Sequence, residues 1–170
     1  MDGRTTLFRE TQRFTQRWVW ALILGVAALT WYGLIRQILM GEPVGDRPIG
    51  DVAMVLIWLV VGVGFPLGLF LMRLDTRVTP KGIHVRFVPF HRWERSWDFD
   101  ELTQIEPRRY APLRDYGGWG IRVGPRGFAY NVKGHEGIQL VLGSGRRVLI
   151  GTQDPDRFME AVRRAQDDPD

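Results

Sequence analysis

The residues of this chain that offer chemistry are mostly basic and aromatic, and they are densest between residues 107 and 135. This stretch holds six cations, five interleaved aromatic residues and a single carboxylate, Asp115. Guanidinium and ammonium groups bind phosphate and carboxylate oxygens, and indole rings favour the interfacial region of a bilayer. The predicted patch, a candidate site for lipid headgroups or a partner protein, comprises Arg108, Arg109, Arg114, Arg122, Arg126, Lys133, Trp119 and the upstream Trp93. The alternative is that these cations only solvate strand faces.

The same region contains a glycine pattern that superficially resembles a dinucleotide-binding loop. Gly118, Gly120 and Gly124 are spaced one residue too far apart for that fingerprint, and a strand-like segment follows them. A phosphate site of this kind needs a helix N-terminus, so we interpret these glycines as turn and close-approach residues. Ser144 lies in a Gly-Ser-Gly turn and lacks the following helix of a nucleophile elbow.

The titratable residues show no spacing typical of catalysis or metal binding. His84, His91 and His135 are scattered, and Asp98 and Asp100 have no histidine beside them in the sequence. With no cysteine in the chain, thiol chemistry and cysteine-ligated metals are excluded. We therefore predict a non-enzymatic protein with no catalytic residues, no cofactor and no metal. A folded pocket that gathered His84, Asp98 and Tyr130 would reopen the enzyme hypothesis.

Two long apolar runs in the first half of the chain predict that the basic and aromatic residues lie close to a membrane. Trp18 to Ile35 is 18 residues without a charge, and Val52 to Met72 is 21 residues without a charge. As helices they would be roughly 27 and 31 Å long, close to the thickness of a hydrocarbon core of about 30 Å. We predict transmembrane helices over 18–40 and 52–73, joined by a short external loop over 41–51.

The basic residues around the spans predict the orientation. They lie before the first span and after the second, whereas the loop holds one cation beside three carboxylates. The flanking cations are Arg4, Arg9, Arg13 and Arg17 on one side and Arg73, Arg77, Lys81 and Arg86 on the other. By the positive-inside rule, both termini are cytoplasmic and the protein is a multi-pass protein of the cytoplasmic membrane. The first run is longer than the apolar core of a cleaved signal peptide.

Residues 1–17 carry a pattern that we interpret as an amphipathic juxtamembrane helix. Apolar and small residues recur at spacings of four, three and four, and arginines recur at four on the other side of the helical wheel. These residues are Leu7, Thr11, Phe14 and Trp18, and Arg9, Arg13 and Arg17.

Small residues in the spans predict close helix packing. Ala21 with Gly25, and Gly64 with Gly68, form small-xxx-small pairs. Packing within the hairpin and packing against a second protein or a second copy both remain open. Pro66 is expected to kink the second helix, because its ring displaces the carbonyl four residues back.

From residue 74 to residue 166 the pattern is that of a β domain. About seven short runs rich in β-branched and aromatic residues are separated by turns such as Lys81-Gly82 and Ser144-Gly145. Asp154 then reads as the N-cap of an amphipathic helix that starts at Pro155, and residues 167–170 read as a frayed tail. The predicted fold class is α+β: a transmembrane hairpin followed by a small antiparallel barrel or sandwich capped by a C-terminal helix.

This order of elements resembles a bacterial-type pleckstrin-homology-like (PH-like) domain, and TRVTPKGIHVRF resembles its opening hairpin. Nearly the whole chain is also similar to a family of prokaryotic two-span membrane proteins that carries a domain-of-unknown-function label. The segments that carry this resemblance are FRETQRF, RDYGGWG, AYNVKGHEGIQL and LIGTQDPDRF. The resemblance supports the topology and the fold, and it implies no catalytic residues.

We therefore expect a non-catalytic, membrane-anchored PH-like protein that docks lipid headgroups or a protein partner at the cytoplasmic membrane face. The expected partners are the bilayer, anionic headgroups, and a membrane protein or a second copy of the chain. Nucleic acid is not expected, because the net charge of +4 is modest. The alternative function is that of a structural or accessory subunit that packs through its transmembrane hairpin.

Overall fold

A computed structural model describes residues 6–45, 49–124 and 127–167. The chain divides into a helical unit, Thr15–Leu71, and a β unit formed by Met1–Phe14 together with Met72–Asp170. Arg4, Arg47, Arg126 and the tail residues 168–170, which figure in the sequence predictions, lie outside the described residues.

The helical unit contains two long apolar helices, as the sequence predicts. The first consists of α1 (Arg17–Leu34) and a π-helical segment, Ile35–Leu39. The second consists of α2 (Asp51–Ile57), a π-helical segment (Trp58–Gly64) and α3 (Phe65–Leu71). They have 23 and 21 residues and are long and apolar enough to cross a membrane. The π-helical segment ends at Gly64, two residues before Pro66, and the kink expected at Pro66 stays a prediction.

The helices of this unit contact each other through residues other than the predicted small pairs. Ala21 and Gly64 are exposed, and no heavy atom lies within 4 Å of the position that a Cβ would take on Gly25 or Gly68. At Gly62, by contrast, that position lies 2.5 Å from Thr30 Oγ1. As residues of the intramolecular contact, the predicted pairs are wrong.

The small residues that lie between the two apolar helices are Gly33 and Gly62. Both are buried, and a Cβ on Gly33 would lie 3.2 Å from the Met54 side chain. The rings of Trp31 and Trp58 meet edge to face across the hairpin, with centroids 5.0 Å apart. The small residues of the hairpin contact are therefore Gly33 and Gly62, which are not members of the predicted pairs.

The β unit contains two sheets. Sheet A has four antiparallel strands in the order β1-β2-β3-β4, namely β1 (Phe8–Arg13), β2 (Arg73–Thr79), β3 (Gly82–Val88) and β4 (Arg95–Asp98). Sheet B has the order β5-β8-β9-β7-β6, namely β5 (Leu102–Arg109), β6 (Gly120–Gly124), β7 (Gly127–Asn131), β8 (Glu136–Leu142) and β9 (Arg147–Gly151). All neighbours pair antiparallel except β7 and β9, which are parallel.

Both sheets and a C-terminal helix share one hydrophobic core. Leu74 and Val85 of sheet A, Ile138 and Ile150 of sheet B, and Phe158 of α5 (Pro155–Asp167) are fully or almost fully buried in it. The sheets stay open, so the barrel that the sequence allowed is not formed. A short helix, α4 (Pro112–Tyr116), and a 3₁₀ turn, Phe99–Glu101, complete the unit.

The turns and the helix start were predicted correctly. Lys81-Gly82 joins β2 to β3, and Ser144-Gly145 lies in the turn between β8 and β9. Asp154 caps α5, since its Oδ1 accepts a hydrogen bond of 3.2 Å from the Arg157 amide.

The predicted amphipathic helix over 1–17 is wrong, because residues Phe8–Arg13 form strand β1 at the edge of sheet A. A spacing of four places arginines on one face of a helix, but four is an even number and also places them on one face of a strand. The strand is held by long-range polar contacts. Gln12 Nε2 donates to the Gly151 carbonyl at 2.7 Å, and Glu10 accepts from Thr152 Oγ1.

Candidate functional site

The outer face of sheet A carries a group of five arginines from three strands. Alternation along each strand buries one set of side chains and leaves the other outside, and the register aligns the outer residues in rows. The rows run Arg13–Arg73–Val88, then Thr11–Asp75–Arg86, then Arg9–Arg77–His84. We call the five arginines of these rows, Arg9, Arg13, Arg73, Arg77 and Arg86, the basic face.

Two of these five arginines are neutralised locally. Arg73 Nε lies 3.1 Å from Asp75 Oδ2, and Arg77 donates to Glu94 Oε1 at 2.5 Å. Asp75 is further engaged, because Thr11 Oγ1 donates to its second oxygen at 2.7 Å. Within the described ranges, the exposed side chains of the other three members of the basic face have no ion-pair partner.

Like charges face each other twice across this sheet. Arg9 is the direct cross-strand partner of Arg77, and Arg13 is the direct partner of Arg73. Side chains in such positions lie about 4.5–5.5 Å apart at Cβ, and like charges placed there are destabilising. An anion bound between the guanidinium groups would remove this repulsion, and phosphate suits their fork of donors.

An aromatic loop lies at one end of the same sheet. We use this name for residues 89–94, between β3 and β4. Trp93 is 82% exposed and Phe90 is 59% exposed, while Arg92 between them is also exposed. Val88, the last residue of β3, pairs with Arg73, so the loop begins at the sheet end where β1 finishes and β2 starts.

The aromatic loop is held in shape by His91. The His91 amide donates to the Phe87 carbonyl at 2.7 Å, and the Phe87 amide donates to His91 Nδ1 at 3.3 Å. The imidazole ring also meets the Tyr130 ring edge to face at 5.5 Å. Burial, followed by the nearby charge of Arg95, lowers the pKa of His91 below its ordinary value of 6.5. A neutral ring is what the Nδ1 acceptor role requires.

Two arginines of the predicted patch lie on β5 and are partnered. Arg108 donates to Gln139 Oε1 at 2.8 Å. Arg109 is highly exposed, and its Nε lies 3.2 Å from Glu136 Oε1. Of the two, only Arg109 has its charge partly balanced, by Glu136 of the neighbouring strand β8, while Arg108 is hydrogen-bonded to a neutral amide of the same strand.

Two further arginines of the patch flank the glycine-rich turn. Arg114 is highly exposed on α4, with its Nε 3.8 Å from Asp115 Oδ1. Arg122 on β6 folds back, and its Nε donates to the Trp119 carbonyl at 2.9 Å. Gly120 and Gly124 are the first and last residues of strand β6, so the segment is a strand and not the helix start that a nucleotide loop needs.

The remaining members of the predicted patch are dispersed. Lys133 is half-buried in the loop between β7 and β8, Arg126 is outside the described residues, and Trp93 belongs to the aromatic loop beside sheet A. Among the described residues, no hydrogen bond, ion pair or ring contact joins Trp93 to the cations of sheet B.

The residues that would have reopened the enzyme hypothesis lie in different surroundings. His84 is on the outer face of β3, where its Nε2 is 3.0 Å from Thr79 Oγ1. Tyr130 belongs to the core of the β unit, and Asp98 ends β4. The described residues contain no group of three or more histidine, aspartate or glutamate side chains placed to hold a metal ion.

Comparison with known protein families assigns the chain. Residues 2–167 match the family described as Family of unknown function (DUF6141). The chain belongs to this family. No curated protein matches the chain. Membership in DUF6141 confirms the predicted resemblance to an uncharacterised family, and it transfers no activity and no site residue.

The sequence analysis missed the basic face of this DUF6141 chain as a surface. It used these five arginines as flanking charges that orient the spans, and it placed Arg9 and Arg13 also on the basic side of the predicted juxtamembrane helix. The signal that could have found the face is the even spacing of cations, which places them on one face of a strand. Arg9 and Arg13 of FRETQR are four residues apart, as are Arg73 and Arg77 of RLDTR, and Arg86 follows His84 by two residues in HVRF. Sequence alone gives no register, so it could not show which of them stand opposite each other.

Proposed function

We propose that this protein is a non-catalytic, membrane-anchored PH-like protein whose basic face docks on anionic lipid headgroups at the cytoplasmic face of the membrane. In this proposal the helical unit crosses the bilayer twice and both termini are cytoplasmic. The β unit then reads the composition of the leaflet that it faces.

The exposure of the helical unit supports membrane insertion. Only 17% of the most apolar window of the first helix and 11% of that of the second are buried by the rest of the chain. The core helix of a soluble protein would be mostly covered. Large side chains such as Leu29 and Val52 are among the most exposed in the chain. Apolar surface of this extent needs a bilayer or another protein to cover it.

The observation that carries the docking proposal is the pair of like-charged rows at Arg9–Arg77 and Arg13–Arg73. In each row the β2 arginine is paired with a carboxylate, so the exposed β1 arginine, Arg9 or Arg13, is the charge left for an anionic surface. A cytoplasmic leaflet has a surface potential of about −30 mV, and each nearby arginine contributes on the order of 1 kcal/mol of attraction. Arg9, Arg13 and Arg86, which have no ion-pair partner among the described residues, would then orient the β unit.

The PH-like assignment is supported by the arrangement of the β unit. Antiparallel strands of two sheets and a C-terminal amphipathic helix enclose one core. Two features go beyond the pattern that the sequence predicted. Strand β1 comes from the segment before the helical unit, and β7 pairs with β9 in parallel.

The test measures how closely the β unit approaches lipid in the full chain. Because the chain has no cysteine, Ser96→Cys on the exposed edge strand β4 gives a single labelling site for a donor dye. The protein is placed in nanodiscs that contain a headgroup-labelled acceptor lipid, with either zwitterionic or partly anionic lipid. We expect higher energy transfer with anionic lipid, and loss of that difference at high salt, because screening weakens surface attraction.

Charge reversal identifies the surface responsible. The variant Arg9→Glu, Arg13→Glu, Arg86→Glu should lose the response to anionic lipid. The matched control Arg146→Glu, Arg147→Glu, Arg163→Glu changes the net charge equally at exposed positions elsewhere and should keep it. A third variant, Arg108→Glu, Arg109→Glu, Arg114→Glu, tests the predicted patch. If only that third variant loses the response, the docking surface is the predicted patch and not the basic face.

A second candidate function, an accessory subunit that packs through its hairpin, is favoured by one observation. The helical unit has an apolar groove of about 380 Å³. Its lining residues are Leu22, Ile23, Val26, Val60, Val61 and Phe65. Gly25 is close to this groove in sequence and has open space where a side chain would stand. A partner helix could approach closely there, as small residues allow in lipid.

A further inference from the structure

The aromatic loop exposes apolar surface that the β unit does not use for its own fold. Trp93 is the most exposed large apolar side chain among the described residues of the β unit, and Phe90, three residues earlier, is also exposed. Three arginines in and around the loop, Arg86, Arg92 and Arg95, are also exposed. An exposed indole with neighbouring cations is typical of a segment that lies at a membrane–water interface.

The aromatic loop lies at the end of sheet A where the chain returns from the second apolar helix. Leu71 is the last residue of α3, and β2 begins at Arg73, two residues later. Val88 is the cross-strand partner of Arg73, so the loop starts one residue after a position that pairs with the beginning of β2. Only Met72 separates α3 from β2, so the covalent connection to the apolar helix is short.

The loop is also ordered before any partner is present. His91 closes it through two contacts with the backbone of Phe87, and the Phe87 and Phe90 rings lie 6.0 Å apart. At its other end Glu94 is held by Arg77. Since the backbone is already fixed, insertion of the two aromatic side chains would cost little conformational entropy.

We propose that the aromatic loop is an interfacial membrane anchor: Phe90 and Trp93 insert among the headgroups and upper acyl chains, while Arg92 and Arg95 contact lipid phosphates. The anchor rests on the proposed function in one respect, since it requires that the helical unit spans the bilayer. It differs in its chemistry. Apolar insertion of an indole occurs in zwitterionic and anionic lipid alike, whereas docking of the basic face needs anionic lipid.

Site-directed spin labelling of the full chain in nanodiscs tests this anchor. Arg92→Cys places the label between the two aromatic residues and leaves both in place. Lys81→Cys is the matched control, because it is also an exposed former cation and lies in the β2–β3 turn at the opposite end of sheet A. Collisions of the label with oxygen report the lipid phase, and collisions with a water-soluble nickel complex report water.

In zwitterionic and in anionic nanodiscs, we expect the label at 92 to collide more with oxygen and less with nickel than the label at 81. Adding Phe90→Ser and Trp93→Ser to the Arg92→Cys chain should return the label at 92 to the aqueous pattern. These substitutions affect exposed side chains, and unchanged collision rates at 81 in the same background confirm that the β unit stays folded.

Two outcomes overturn the anchor. An aqueous pattern at 92 in both lipids shows that the loop stays in water, and a pattern with low collisions by both reagents shows that protein covers it. In either case, an energy-transfer response of the basic face to anionic lipid leaves the proposed function standing. Conversely, a chain that stays soluble without detergent and does not enter nanodiscs removes the proposed function itself.

Discussion

Arg13 and Arg73 stand directly opposite each other at the end of the β1–β2 ladder, where the chain leaves the β unit and where it returns. Arg73 has Asp75 at 3.1 Å, whereas Arg13 has no ion-pair partner among the described residues. The sheet therefore carries an unrelieved positive charge at the position nearest in sequence to both apolar helices. Stability and anion binding should respond in opposite directions when this charge is removed.

Arg13→Gln should stabilise the β unit and weaken its docking. Removing the cross-strand repulsion is expected to raise the free energy of unfolding by roughly 0.2–1 kcal/mol. Loss of one arginine should reduce attraction to an anionic leaflet by on the order of 1 kcal/mol. Hydrogen exchange of β1 and β2 measures the first effect, and energy transfer to anionic nanodiscs measures the second. Arg163→Gln on exposed α5 is the matched control and should change neither.

The β unit should fold without the helical unit. Because Arg13 and Arg73 are cross-strand partners, Phe14 can be joined to Met72 through Asn-Gly, a two-residue turn that suits a tight antiparallel hairpin. We expect this hairpin-deleted chain to be soluble in water without detergent. Circular dichroism should show strand content and one cooperative unfolding transition.

Strand β1 should be necessary for that stability. A chain that starts at Met72 lacks the hydrogen bond from Gln12 to Gly151 and the contacts of Glu10 with Thr152 and Gln153. It also exposes the edge of β2. We expect it to unfold at lower denaturant concentration than the hairpin-deleted chain. Equal stability of the two would contradict the role of β1 as part of the fold.

The case of β1 shows why part of the fold was predictable and part was not. The long apolar runs and the turn dipeptides were found correctly, because their signals are local: continuous hydropathy, or Gly and Pro at a turn. Strand β1 is six residues long and pairs with residues some 65 positions later. Nothing within Phe8–Arg13 states that its partner lies beyond two apolar helices.

The candidate site shows the same limit. Charge density along the sequence pointed to residues 107–135, but in the structure Arg108 and Arg109 lie beside Gln139 and Glu136 of β8. The arginines of the basic face are far apart in the sequence, but strand pairing brings them together on one face of sheet A, because β1, β2 and β3 all contribute. Trp93 was predicted from sequence as part of a loop tip, which needs no register to be recognised, and it is exposed in that loop. Its contact with headgroups or a partner stays a prediction.

The aromatic loop should loosen in acid. The pKa of His91 is lowered in the folded state by burial and by Arg95, so below pH 6.5 the unfolded state binds more protons. Stability contributed by the neutral ring is complete above about pH 6.5 and is lost as the pH falls towards the folded pKa. Protonation also removes the acceptor at Nδ1 for the Phe87 amide. Hydrogen exchange of residues 87–91, corrected for its intrinsic pH dependence, should therefore speed up between pH 7.5 and 5.5.

The control for this effect is His91→Gln, whose exchange in the loop should not respond to pH in that window. Among the described residues, the groups that face His91 are Arg95 of β4 and Tyr130 of β7. Burial raises the pKa of Tyr130 above its ordinary value of 10.0, so its phenol stays protonated between pH 5.5 and 7.5. An acid response that persists in His91→Gln would assign it to another group and contradict the prediction.

Valine substitutions at two glycines of the apolar helices should distinguish an effect on the stability of the helical unit from an effect on its association with a partner. A Cβ on Gly62 would meet Thr30 Oγ1, which is itself fixed by a 2.7 Å hydrogen bond to the Ala27 carbonyl. Gly62→Val should therefore destabilise the helical unit by about 1–3 kcal/mol, the usual cost of overpacking. Thermal unfolding in detergent, followed by helical circular dichroism, measures this loss.

Gly25→Val is the matched variant, because its Cβ has no heavy atom within 4 Å in the described structure. It should leave unfolding nearly unchanged, apart from the small helix-propensity difference between glycine and valine. If the hairpin packs against a second copy of the chain, Gly25→Val should convert the assembly to monomers in light-scattering measurements, since a branched side chain blocks close approach of helices. A chain that is monomeric with either residue at position 25 would count against self-association at this groove. If Gly25→Val instead unfolds the helical unit as strongly as Gly62→Val, the assignment of the hairpin contact to Gly62 is wrong.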